Sequence, residues 1–364
     1  MATDDRLATG AWAWFGDILA TGLAEVSDDP GVLDGDGWWA VLVTFEGAVT
    51  CARFTQVRRA PLPGGGGWPG VPVDAWSSSL TRQEYVDGVA RIREGIAAGD
   101  HYQVNLCRVL SAPRPRWTDG AGAPLGGLAE VLADGNPSPY AGVISLPDHG
   151  VEVVSASPEL FLRRADDVVE SGPIKGTATY AALLTDKDRA ENVMIVDLVR
   201  NDLGAVAVTG SVEVPALNAV EQHPGLVHLV SVVSARLRPD AGWTDLLAAT
   251  FPPGSVSGAP KSSALTAIRD LEPVPRGPYC GAVGWVDAPA RRGTLAVGIR
   301  TFWADQGRLH LGTGAGITWG SDAGAEWDET ELKARRLLAV AATTHQSDRS
   351  DGPNGPNGLE LEET

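Results

Sequence analysis

Two acidic pairs in this 364-residue chain share one spacing, Asp188-x-x-Glu191 and Glu326-x-x-Glu329. On a helix, a separation of three places both carboxylates of a pair on one face. Hard oxygen donors without a matching His or Cys set suit Mg²⁺, which takes one or two carboxylates and fills its shell with water and an anionic substrate. Acids also favour a helix's first turn for dipole reasons alone, so the spacing leaves both explanations open. A Gly-rich loop, Phe251-Pro-Pro-Gly-Ser-Val-Ser-Gly-Ala-Pro-Lys-Ser-Ser263, feeds a helix that starts at Pro260 and Lys261. Free backbone N–H groups beside a lysine make an anion cradle there, or simply a helix start; the spacing is not that of a Walker A loop. Gly312-Thr-Gly-Ala-Gly316 is a second glycine cluster, with Ile317 where a dinucleotide fingerprint needs glycine. It admits either close backbone approach to a ligand or a tight turn.

Single residues add to these clusters. Lys175, in Pro173-Ile-Lys-Gly-Thr177, sits where partial desolvation would make a nucleophile, although most lysines are solvated surface. Glu159, in Ser157-Pro-Glu-Leu160, precedes a strand and could serve as a general acid or base. Arg300 lies among apolar residues, where a charge calls for an anionic partner. His223 and His228 flank Pro224-Gly225, and two histidines without a third ligand do not make a zinc site. Taken singly, each has a plainer structural explanation. Cation, carboxylates and Gly-lined loops together suggest a Mg²⁺-assisted site for a small dianion.

The elements that must position these groups are partly legible. Short apolar runs over residues 1–60, ending at the Gly/Pro loop 61–67, predict a small β-rich segment. The capping box Thr81-x-x-Glu84, with Tyr85, Val89, Ile92 and Ile96 at helical spacing and Gly99 as stop, predicts a helix. A strand follows, with Tyr102, Val104 and Leu106 on one face and Gln103 and Asn105 on the other. Residues 112–126 read as a surface loop. Strands are expected at 140–146, 151–156, 159–164, 167–174, 211–216, 226–238, 280–287, 293–304 and 307–312. Helices are expected near 187–203, with Val193, Val196, Val199 and Leu203 as the apolar stripe and Gly204 as stop, and near 243–250, 260–271 and 325–342. Consecutive strands favour α+β over a doubly wound α/β sheet. The tail from about 346 is expected to be disordered. This divides the chain into an N-terminal β-rich segment and loop (1–75) belonging to the same fold, a catalytic region (76–345) and a tail (346–364).

Composition narrows the partners. Lys and Arg total 29 against 46 Asp and Glu, a formal charge of -17. Such a surface repels phosphate backbones, and the basic runs are no longer than Arg58-Arg59, Arg163-Arg164, Arg291-Arg292 and Arg335-Arg336, so nucleic acid is not expected. Cys51, Cys107 and Cys280 lie far apart with no CxxC, which fits a reducing cytoplasm rather than a disulfide framework. The start of the chain lacks a signal-peptide pattern and no stretch approaches the ~18 apolar residues of a span, so no membrane partner is expected.

Seven blocks, in this order and spacing, resemble the chorismate-utilising enzymes: Tyr102-Gln-Val-Asn-Leu106, Ser157-Pro-Glu-Leu-Phe161, Pro173-Ile-Lys-Gly-Thr177, Glu191 to Leu203, Gly254-Ser-Val-Ser-Gly-Ala-Pro-Lys261, Gly277-Pro-Tyr-Cys-Gly281 and Glu326-Trp-Asp-Glu-Thr330. The resemblance runs from about residue 80 to 342. Isochorismate and salicylate synthases carry a water-activating lysine where this chain has Gln103, and anthranilate synthases typically have Ala in place of Lys175. The blocks are therefore most similar to the aminodeoxychorismate synthases.

The resemblance implies a large α+β domain with two mainly antiparallel β-sheets packed face to face and helices outside. It also implies Mg²⁺ held by Glu191 and Glu329, with Glu326 and Asp188 behind them, to bind the ring carboxylate of chorismate. Lys175 would attack C2, ammonia would add at C4, Glu159 would move protons, and His228 would lie near the leaving hydroxyl. Tyr279, Arg300 and the backbone of Gly314, Ala315 and Gly316 would hold the enolpyruvyl carboxylate, while Gln103, Gly176, Thr177, Ser257, Gly258, Ala259 and Lys261 would line the rest of the substrate site. No Gly-x-Cys-x-Gly nucleophile is present, so a separate glutamine amidotransferase subunit is the expected ammonia source. Cys107, His101 and Ser257 depart from the residues usual in the family, and Asp188 is shorter than the usual Glu. The rivals are an anthranilate synthase component and a non-catalytic chorismate-binding subunit.

Overall fold

The computed structural model describes residues 10–345 except 65, 117–121, 179, 182–183 and 224–225; the tail expected to be disordered lies outside the described residues. The α+β expectation holds, with strands paired antiparallel throughout. From one edge, Ser77–Ser78 and Gly258–Ala259 pair with Gln103–Pro113, followed by Arg308–Ile317, Thr301–Asp305, Val151–Ser157, Tyr140–Leu146 and Trp12–Phe15. Through Ile18–Ser27, Val49–Arg59 and Trp38–Val43 the ladder continues to Ala282–Asp287, Arg292–Val297 and Leu160–Ala165. Val168–Gly172 and Ile174–Ala178 then pair with Leu226–Arg236, whose other edge takes Glu213–His223. The ladder folds back on itself. Val109, Ile144 and Val153 from one half share a core with Val41, Val283 and Leu295 from the other, so two β-layers face each other.

Six helices lie among the described residues: α1 (Arg82–Ala98), α2 (Leu125–Gly135), α3 (Asp186–Gly204), α4 (Trp243–Thr250), α5 (Lys261–Leu271) and α6 (Ala323–Ala341). The Thr81/Glu84 capping box forms as expected, and Gly99 ends α1 in the left-handed region. Tyr85, Val89 and Ile92 of α1 pack on Val104, Leu106 and Ile317, whereas Tyr102 is exposed.

Two elements differ from the sequence reading. Helix α2 starts at the end of what reads as a loop (112–126) and runs on where the sequence reading assigns no element: Leu125, Leu128 and Leu132 are buried, yet two glycines weaken its helical propensity. Gly127 is there because the Gly67 carbonyl lies where a side chain would begin. In α3 the buried face is Asn192, Ile195, Val196, Val199, Asp202 and Leu203, and Val193 is exposed. Two polar residues belong to that face: Asn192 Nδ2 donates to the Leu229 carbonyl at 3.2 Å, and Asp202 pairs with Lys261. The helix is thereby rotated relative to its apolar stripe.

Candidate active site

Lys175 lies on the Ile174–Ala178 strand, paired with Leu229 of the neighbouring strand. The register slips between Lys175 and Thr177, where Gly176 has φ +68. A bulge of this kind re-aims a side chain, and a left-handed residue is cheapest as glycine. A Cβ on Gly176 would also lie 2.9 Å from Asp188 Cβ, so the start of α3 packs against the bulge. The half-buried Lys175 donates from Nζ to the Ser255 carbonyl at 3.0 Å. Desolvation pushes its amine below the usual lysine range, assisted by Lys333 and opposed by Glu159, Glu191 and Glu329.

Glu159 is buried in the turn between the Val151–Ser157 and Leu160–Ala165 strands, its N–H donating to Ser157 Oγ at 3.2 Å. Burial pushes its carboxyl above the usual range, while the Ser255 hydroxyl, Lys175 and the Ile174 N–H oppose the shift. A carboxyl moved up beside an amine moved down is the electrostatic signature of an acid and base poised for proton transfer. His228 is buried on the adjoining strand, paired with Thr177.

Of the predicted carboxylates, Asp188 and Glu326 lie in the first turns of α3 and α6, and Glu191 and Glu329 in the second turns. Asp188 closes a capping box, accepting from Thr185 N and Oγ1 at 2.7 Å each. Glu191 faces Lys187 at 3.7 Å and Glu329 faces Lys333 at 2.6 Å, both one turn along their helices. Glu326 is buried, and desolvation and Glu329 push its carboxyl upward. Among the described residues no three His, Cys, Asp or Glu side chains are already gathered as a metal-binding group. The donor chemistry nonetheless suits a hard divalent cation: the candidate side chains of α3 and α6 are all carboxylates, and Glu326 is desolvated next to a second carboxylate, Glu329.

The glycine cluster 312–316 is not a turn but part of the Arg308–Ile317 strand, and its glycines form one flat face. The Tyr279 ring lies where a Gly312 Cβ would be, Cys107 Sγ would be 2.5 Å from one on Gly314, and Gln103 Nε2 would be 2.6 Å from one on Gly316. Ala315 points the other way, into the cluster with Tyr85 and Ile92, and offers this face only its backbone. Both side-chain polar atoms of Gln103 are buried without a partner among the described residues, an arrangement that costs free energy until a polar ligand or water satisfies it. Arg300, with φ +51, is half-buried; its carbonyl accepts from the Ala156 N–H at 3.0 Å, while its guanidinium has no hydrogen bond or ion pair among the described residues. Burial and Arg336 push its guanidinium below its usual range. Such a cation suits a carboxylate.

In the Gly-rich loop, polar atoms turn inward. Ser257 Oγ donates to the Pro253 carbonyl at 3.0 Å, and Lys261 Nζ reaches Asp202 at 2.8 Å and the Thr250 carbonyl at 3.0 Å. Gly258 and Ala259 pair with Val104 and Gln103, and the Gln103 carbonyl lies where a Gly258 Cβ would begin.

Sequence reasoning missed three contributors. Ser255 holds Lys175 and Glu159 together. Lys333 joins Glu329 to the Gly314 carbonyl, the latter at 3.0 Å, and so ties the α6 carboxylates to the glycine strand; its signal is a Glu and a Lys four apart. Arg276, fully buried, binds both oxygens of Glu272 at 2.8 and 2.6 Å, the Val256 carbonyl at 2.9 Å and the Asn105 carbonyl at 2.6 Å. Glu272 and Arg276 are also four apart, but the two prolines between them hide the pair.

The profile of the chorismate binding enzyme family matches residues 68–339. Aminodeoxychorismate synthase component 1 of Salmonella typhimurium is 37% identical over 311 residues, covering 82% of this chain and 65% of that protein. Anthranilate synthase component 1 of Streptomyces coelicolor is 40% identical over 305 residues, covering 78% and 58%. The chain thus spans less than two thirds of the length of these relatives. The fold is similar to that of anthranilate synthase component I from Streptococcus pneumoniae, with a TM-score of 0.77 at 24% identity over 89% of this chain and 92% of that one. No helix among the described residues is long and apolar enough to cross a membrane. The profile match over most of the chain and the identity to these relatives place it in the chorismate binding enzyme family.

Proposed function

We propose that the chain is a component I aminodeoxychorismate synthase, converting chorismate and ammonia to 4-amino-4-deoxychorismate. The observation that carries this reading is Lys175, a desolvated amine held against Ser255 beside the buried carboxyl of Glu159. A residue that only bound chorismate would not need this poise. In the proposed sequence Lys175 Nζ bonds to ring C2 as the 4-hydroxyl departs with a proton from Glu159, which leaves as water. Ammonia then bonds to C4, the C2–Nζ bond breaks, and Glu159 recovers a proton from the added nitrogen. Splitting one displacement into two is what a covalent intermediate offers.

Arg300 is suited to the enolpyruvyl carboxylate, with Tyr279, Gln103 and the backbone of Gly314, Ala315 and Gly316 proposed to complete its cradle; the glycines let Tyr279 and Gln103 lie directly on their strand. Glu191, Glu326 and Glu329 would hold Mg²⁺, whose charge would offset that of the ring carboxylate and leaving hydroxyl. A glutamine amidotransferase subunit would supply ammonia, consistent with relatives named as component 1. Anthranilate synthase component I is the second reading, favoured by relatives of equal similarity.

The test is mass-resolved product analysis of the purified chain with chorismate, Mg²⁺ and ammonium salt. A product that keeps the enolpyruvyl group, and yields p-aminobenzoate only after a lyase is added, supports the proposal. Anthranilate with free pyruvate transfers the assignment to the second reading.

A further inference from the structure

Glu159 lines a cavity of about 20 Å³ together with Ser171, Asp202, Thr250 and Ser255, the rest of the wall being apolar side chains and glycine. Roughly 10–15 Å³ is enough for one water, provided two to four polar groups bind it. Those groups are present. Ser171 is 6% exposed and its hydroxyl has no hydrogen bond among the described residues. Thr250 spends its proton on the Leu246 carbonyl at 2.7 Å, which leaves its oxygen free to accept. Asp202 is 8% exposed, with Lys261 at 2.8 Å on Oδ2.

We propose that this cavity binds one structural water joining Glu159 to Asp202, and that Asp202, backed by Lys261, is a positioning residue for the Glu159 proton. The proposal rests on the reading of Glu159 as the acid of chorismate amination. The relay balances as a hop: the Glu159 O–H breaks as a water O–H forms, and another water O–H breaks as an Asp202 O–H forms. One proton moves, the water is regenerated, and the reverse hop returns it. Burial raises both carboxyls, so either one can be the protonated partner of a water in the cavity that both line. The groups facing Glu159 are Lys175, the Ser255 hydroxyl and the Ile174 N–H; those facing Asp202 are Lys261 and Asn201.

A high-resolution crystal structure of the full chain should show a single water within hydrogen-bond distance of Glu159, and a dry cavity would overturn the proposal. The Glu159 carboxyl can also be titrated by ¹³C NMR with labelled glutamate. Asp202→Asn removes a like charge and frees Lys261 to act on Glu159, so the midpoint should fall by about one unit. Ser171→Val keeps every charge but fills the cavity, so the midpoint should rise through loss of the water, and kcat should fall about tenfold with chorismate affinity unchanged. An unmoved midpoint in whichever of the two variants folds overturns the proposal. The crystallographic water and the Glu159 midpoint need no turnover, so a wild-type chain that makes no aminodeoxychorismate counts against the functional reading alone.

Discussion

Ser255 serves Lys175 and Glu159 at once: its carbonyl accepts from Lys175 Nζ at 3.0 Å and its hydroxyl faces the Glu159 carboxyl. One residue of a short turn thus fixes the distance between the proposed nucleophile and the proposed acid. Replacing Lys175 with Ala should reduce amination to background while chorismate binding, followed by calorimetry, persists. Glu159→Gln should lower kcat by about 10²–10⁴-fold. Unchanged turnover in Lys175→Ala would remove the covalent step.

The pH profile should carry the mark of this pair. Turnover needs neutral Lys175 and protonated Glu159. Burial lowers the first and raises the second, so both shifts enlarge the active population. The profile should be a bell whose limbs lie inside the ordinary values of about 4.3 for Glu and 10.4 for Lys. In Glu159→Gln the falling limb at high pH should vanish, because only Lys175 then titrates.

Arg300 is a half-buried cation without a protein partner among the described residues. Arg300→Gln should cost the substrate one charge-assisted pair, about 1.5–3 kcal/mol, and raise KM by roughly ten- to a hundredfold. A KM equal to that of the parent chain would place the carboxylate elsewhere.

Arg276 and Glu272 form a bidentate pair, 1% and 6% exposed at their side chains. Removing only Arg276 leaves an uncompensated buried carboxylate, so Arg276→Met should destabilise by about 3–5 kcal/mol in chemical denaturation. The double change Glu272→Leu with Arg276→Met should cost less than that single change. If it cost more, the pair would be stabilising in its own right.

Gly127 faces the Gly67 carbonyl. Gly127→Ala gains helix propensity but must displace that backbone, and overpacking of this kind costs about 1–3 kcal/mol. A raised melting temperature would show that the 61–67 loop yields freely.

How much of this was legible follows from what each element depends on. The extent of α4 and the start of α1 could be read because caps and apolar period are local properties. Helix α2 was hidden because Gly127 answers to a contact with Gly67 more than fifty residues away, and a local reading counts it only as a breaker. The rotation of α3 was hidden because Asn192 and Asp202 are buried for their partners, which periodicity cannot see. The blocks carrying Lys175, Glu159 and the acidic pairs could be picked out by residue type. Their company could not: Ser255 reads as one more small loop residue, and the glycines at 312, 314 and 316 suggest a turn until Tyr279, Cys107 and Gln103 are seen lying on them.

The strand Trp38–Val43 lies between Val49–Arg59 and Ala282–Asp287. Its first partner is its immediate successor in the chain, and its second is made only after most of the polypeptide has left the ribosome. During synthesis an apolar strand rich in tryptophan and valine therefore waits with one edge unpaired, the condition that invites wrong pairing between chains. Closure of so distant a contact is also slow. The second edge of Trp38–Val43 should thus lock late, and until Ala282–Asp287 arrives it is a place where newly made chains need a chaperone.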